Sequence, residues 1–239
     1  MPPGIRQLAG QGIMQGLGMA GGGFGTELIY SFIIIIASLM IYFGTRELYN
    51  LTSHKGIKYF RQAFLFFAIA YFFRSFIKSI LIIFNVSAVR EFTPLIFGPI
   101  SLFLFMYSSS MAIFYLLYSV MYKKWNSNKI FWFHILAVLI ALTSVLTKDL
   151  RVHVGMNIFL FLLVTLIVCL AYLESRTKTK EHKYNLFVIY QLLFIFWILN
   201  IIDILVPNFF RVFQLLLYLA SIAIFLIVLY KVLKKTGAA

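Results

Sequence analysis

The sequence predicts an all-α fold: a polytopic membrane protein of seven transmembrane helices, with the N-terminus outside and the C-terminus in the cytoplasm. Three observations carry that prediction. The chain of 239 residues is 62% hydrophobic and 12% charged, where a soluble domain carries about 25% charge. Its mean hydropathy is +0.96. Residues 92–122 and 152–173 hold no charged side chain, counting His153 as neutral, and each is long enough for the ~20 apolar residues that cross a bilayer.

The elements follow in order. The first 25 residues contain nine glycines and lack the compact apolar core and cleavage site of a signal peptide. They read as a disordered external tail. The rival reading, a surface strip of Ile5, Leu8, Ile13 and Leu17, is opposed by the glycine density. The first span, about 26–45, opens on Glu27 and is followed by positive charge, as an N-out anchor is. The second, about 58–84, carries Arg61, Arg74 and Lys78. The third, about 94–122, starts at Pro94, Gly98 and Pro99, which fit a helix start or kink, and holds Ser108, Ser109 and Ser110 at mid-length. The fourth and fifth, about 129–147 and 153–174, are apolar, and the fifth contains the single cysteine, Cys169. No intramolecular disulfide can form. The sixth, about 184–206, carries Asn200 and Asp203, and the seventh, about 209–233, opens near Arg211. The domain plan is a tail over 1–25, a seven-helix domain over 26–235 and a short cytoplasmic tail over 236–239.

Orientation comes from the connections. Arg46, Lys55 and Lys58, then Lys123, Lys124 and Lys129, then Arg176, Lys178, Lys180 and Lys183, and finally Lys231, Lys234 and Lys235 mark one side. The other side shows Arg6, Arg90, Lys148, Arg151 and Arg211. Lysine and arginine accumulate in cytoplasmic loops, so the first side is inside. Tyr42, Tyr59, Tyr122, Tyr172, Tyr184 and Tyr230 gather at the same ends, as an interfacial aromatic belt does. The net charge of +14 then points to anionic lipid headgroups rather than nucleic acid, because no basic domain stands outside the spans. The expected location is the plasma membrane, multi-pass.

The third and seventh spans align without gaps. MYSSSMAIFYLLYSVMYKK (106–124) lies over LYLASIAIFLIVLYKVLKK (217–235), pairing Tyr107 with Tyr218 and Ser110 with Ser221. Aligning the second and sixth spans from Lys58 and Lys183 sets Lys78 on Asp203. Three spans, one linking span and three spans again form an internal 3+1+3 repeat. That plan resembles in architecture the small sugar transporters and PQ-loop proteins, and more loosely the seven-helix sensor domains of prokaryotic kinases. No Pro-Gln pair occurs here.

Charge inside the spans marks the candidate site. Arg74 and Lys78 are one helical turn apart, about 6 Å at ~1.5 Å per residue, and an unpaired cation at a helix centre costs at least ~2.5–3.5 kcal/mol. Two readings stand. In one, Lys78–Asp203 and Glu27–Arg74 pairs merely fix helix register. In the other, Arg74, Lys78, Asp203, Asn200, Glu27 and Ser109 line an outer-half pocket for a small anionic or polar ligand, and Arg74→Gln folds normally but loses the ligand response. Serines in such spans often serve close helix packing instead.

His54, His134, His153 and His182 form no metal-ligand spacing with Cys169 or the acids, so neither metal nor cofactor is expected. HExxH, GxSxG and P-loop patterns are absent, and no catalytic residues are assigned. The expectation is a non-enzymatic receptor or sensor that couples to a separate membrane or cytoplasmic partner. The rivals are a small-molecule permease of two three-helix halves and a structural subunit of a membrane complex.

Overall fold

The computed structural model describes seven helices: α1 (Pro3–Thr52), α2 (Lys55–Ile83), α3 (Phe92–Met121), α4 (Lys129–Leu146), α5 (Leu150–Arg176), α6 (Lys180–Leu205) and α7 (Arg211–Thr236). Side chains are described for residues 25–76, 98–125, 129–147, 152, 155–173, 187–203 and 212–234. The glycine-rich tail up to residue 24, Lys78 and Arg211 lie outside the side chains so described. Each span expected from the sequence falls on one helix. Stretches Gly25–Thr52, Gly98–Met121, Lys129–Leu146, Gly155–Leu173 and Val212–Lys234 give five helices long and apolar enough to cross a membrane. α6 adds a shorter apolar stretch, Phe187–Asp203.

Six helices form a ring in the order α1–α2–α3–α5–α6–α7, with α7 closing on α1. α4 packs outside it against α3 and α5, and exposes Phe131, Trp132, Leu139 and Leu146. α3 is the most enclosed helix: between Met106 and Val120 nearly every side chain is buried. α7 buries one stripe, Leu217, Tyr218, Ser221, Phe225, Val228, Leu229 and Val232, at the 3.6-residue period of an amphipathic helix. The two helices matched by sequence are therefore enclosed to different degrees.

Close approach depends on two glycines. A Cβ at Gly44 would stand 2.8 Å from Leu233 Cδ2, so glycine lets α1 lie against α7. A Cβ at Gly56 would meet the carbonyl of Ser119 at 3.1 Å, where the start of α2 crosses the end of α3. Between α1 and α2 the chain reverses at Ser53, which has φ of 49°. This left-handed residue terminates α1, its amide returning to the Tyr49 carbonyl at 2.7 Å. The His54 carbonyl then accepts the amide of Ile57 at 3.0 Å, and His54 Nε2 meets the Tyr122 hydroxyl at 2.6 Å. We call this the basic end of the bundle.

An aromatic layer crosses the ring. Phe64 and Phe67 of α2, Phe196 of α6 and Phe225 of α7 are buried. Their ring centres lie 5.0 Å (Phe196–Phe225), 6.0 Å (Phe64–Phe225) and 6.5 Å (Phe67–Phe196) apart, within the range of tilted and edge-to-face contacts. Phe67 precedes Arg74 by two turns and Phe196 precedes Asn200 by one. The layer thus separates both from the basic end.

Candidate functional site

Just beyond this layer, α2 projects Arg74 into the ring. A guanidinium removed from water must find acceptors for its planar fork of donors. Nη2 donates to Asp203 Oδ2 of α6 at 2.7 Å, Nε donates to Glu27 Oε1 of α1 at 3.4 Å, and Nη1 donates to Asn200 Oδ1 at 3.3 Å. The side chains of Arg74, Glu27 and Asp203 are 16%, 10% and 8% exposed. One cation therefore ties three helices through two carboxylates.

Tyrosines orient the tie. The Asn200 amide nitrogen donates to its own helix at the Phe196 carbonyl, 2.9 Å away, which turns Oδ1 toward Arg74. The same oxygen accepts the Tyr71 hydroxyl at 2.7 Å. Because that bond uses the single proton of Tyr71, Tyr30 is the donor in the 3.0 Å contact between the two hydroxyls. The Tyr30 ring stacks on Tyr218 of α7 at 4.7 Å, so the fourth helix joins by packing. Arg74 Cζ lies 5.8 Å from the Tyr71 ring centre and 6.0 Å from that of Tyr30, at the outer limit of cation–π attraction.

On its other side Arg74 faces a cavity of about 30 Å³ between α2, α3, α5 and α6, room for about two water molecules. Its walls include Tyr71, Ser109 of α3, Asn157 of α5, and Trp197 and Asn200 of α6. Trp197 Nε1 is buried with no acceptor, and Asp203 Oδ1 is buried with no donor. A buried polar atom left unmatched costs about 1–3 kcal/mol. Of the two residues, Trp197 belongs to the cavity wall.

The structure brings together five of the six residues singled out in the sequence: Arg74, Asp203, Asn200 and Glu27 by hydrogen bonds, and Ser109 across the cavity. Asp203, expected to pair with Lys78, closes on Arg74. The long arginine side chain reaches α6 across the ring. This geometry also revises the expected behaviour of Arg74→Gln, which would strand two buried carboxylates instead of folding normally. Sequence reasoning missed Tyr30, Tyr71, Asn157 and Trp197. The tyrosines had a signal: Glu27–Tyr30, Tyr71–Arg74 and Asn200–Asp203 are all polar pairs at i and i+3, one helical face each. Among the described residues no group of histidine, cysteine or acids could hold a metal.

Five apolar helices of spanning length among the described residues, with a buried ionic tie in an all-helical fold, make this a protein of membrane type. No protein-family model and no solved structure matches it. An uncharacterized protein of Archaeoglobus fulgidus is 31% identical over 218 residues, covering 87% of this chain and 92% of that protein. The chain belongs to the same family as that protein.

Proposed function

We propose that this is a non-enzymatic, multi-pass membrane protein of receptor or sensor type, placed N-out and C-in with all seven helices spanning the plasma membrane. Its input site is the Arg74 tie with the adjoining cavity, and its basic connections meet anionic lipid or a separate partner. The carrying observation is that Arg74 belongs to both structures. It holds α1, α2 and α6 by hydrogen bonds while forming part of the wall shared with α3 and α5. A guest that drew on Trp197 Nε1 or displaced an Arg74 contact would be felt by every ring helix. Among the described residues two carboxylates already face the one guanidinium, which disfavours an added anion at Arg74. The ligand is then a small neutral or cationic polar molecule, not the anion also considered from sequence.

A second reading draws on the ring itself. Exchanging α1 with α5, α2 with α6 and α3 with α7 carries each ring contact onto another ring contact, and α4 alone stands outside. That arrangement supports the 3+1+3 repeat and hence a permease of two halves meeting at Arg74 and Asp203. The phenylalanine layer favours sensing, since it closes the site toward the basic end.

Thermal unfolding of the purified protein in nanodiscs, scanned against small amides, amines and polyols, tests the proposal. One solute class should raise the midpoint, and Trp197→Phe should keep the helical content and lose the shift. Uptake of that solute into proteoliposomes would select the permease. If no solute shifts the midpoint, the tie is structural.

A further inference from the structure

Arg61 stands on the same helix as Arg74, roughly 20 Å nearer the basic end at ~1.5 Å per residue. Its guanidinium carbon lies 4.6 Å from the Tyr42 ring centre and 6.0 Å from that of Tyr49. Nη2 donates to the Tyr42 hydroxyl at 3.3 Å, whereas Nε is buried without an acceptor. Among the described residues no carboxylate comes within ion-pair distance of it; the two ion pairs described both belong to Arg74.

More positive charge lies on the neighbouring turns of α1 and α2. Tyr42, Arg46 and Tyr49 recur at i, i+4 and i+7 on α1, which sets Arg46 on the stripe that Arg61 covers. Lys58 precedes Arg61 by one turn on α2. Arg46 and Lys58 are both exposed. Glu47, the described acid at this end, is exposed and sits about 100° around α1 from Arg46. Among the described residues none of these three cations is paired with an acid, so an anion bound beside them would relieve their mutual repulsion. The apolar stretch Gly25–Thr52 ends beside them, so in a membrane they lie at headgroup depth, where tyrosine rings collect.

We propose that the groove between α1 and α2, built from Tyr42, Arg46, Tyr49, Lys58 and Arg61, binds the phosphate of an anionic membrane lipid. The planar guanidinium of Arg61 matches two phosphate oxygens. Arg46 and Lys58 supply further charge, and the tyrosine rings form a wall for the glycerol and upper acyl chain. This deepens the contact of the basic end with lipid, and it stands independently of what the central site binds.

Native mass spectrometry of the detergent-purified protein tests it, with phosphatidylglycerol, phosphatidylcholine and inorganic phosphate titrated separately. The wild type should retain phosphatidylglycerol at least tenfold more tightly than phosphatidylcholine. Arg61→Gln should lose that preference, and Arg61→Lys, with charge but no fork, should keep part of it. Should Arg61→Gln fail to fold, the exposed pair Arg46→Gln/Lys58→Gln carries the same expectation. Equal retention of the two lipids, an unchanged preference in these variants, or displacement of the lipid by millimolar phosphate would overturn the proposal.

Discussion

Two arginines on one helix meet the cost of burial in opposite ways. Arg74 closes on two carboxylates and an asparagine from α1 and α6. Arg61 has two tyrosine rings, one hydroxyl and a bare Nε. The first cation is neutralised by the chain itself, inside the ring and largely buried. The second lies where headgroups can supply the counter-charge, so the chain need not encode it. Depth decides which solution is available. A charge at mid-membrane must bring its partner, while one near the interface can borrow one.

The largest effect is expected at Arg74. Replacing it with glutamine leaves Glu27 and Asp203 buried and facing each other, and should cost about 3–5 kcal/mol. Chemical denaturation in detergent reads this directly, and the loss should be the same with or without anionic lipid. Asp203→Asn removes the shorter ion pair but keeps Glu27, so a loss of about 1.5–3 kcal/mol is expected by the same measurement. For Arg61→Gln in uncharged lipid the expected loss falls to about 0.5–2 kcal/mol, the worth of the cation–π contacts. In anionic lipid the loss should grow, because the variant forfeits the headgroup as well. The smallest effect belongs to Glu27→Gln, whose 3.4 Å contact is long; about 0.5–1.5 kcal/mol is expected, visible as a small drop in the unfolding midpoint.

Much of this was legible in the sequence, for a physical reason. Charge is so costly inside an apolar helix that Arg74, Asp203 and Glu27 announce themselves, and Asn200 stands one turn from Asp203. Helix positions followed from the apolar runs alone. The aromatic partners did not stand out, because tyrosine serves equally as belt, core and hydrogen-bond donor. Tyr42 reads as an interfacial residue until Arg61 is seen 4.6 Å from its ring. Trp197 looks like ordinary core until its indole nitrogen proves to lack an acceptor. Pairing also depends on reach across the ring, so Asp203 could be assigned to Lys78 by register and still close on Arg74.

Two arginines draw their counter-charge from separate sources, and one side-by-side measurement tests this. Thermal unfolding of the wild type, Arg74→Gln and Arg61→Gln would be followed in nanodiscs of rising phosphatidylglycerol content. The wild type and Arg74→Gln should both gain stability with anionic lipid in parallel, Arg74→Gln at a much lower midpoint, while Arg61→Gln gains much less. Parallel lines for all three, or a lipid response lost in Arg74→Gln and kept in Arg61→Gln, would contradict it.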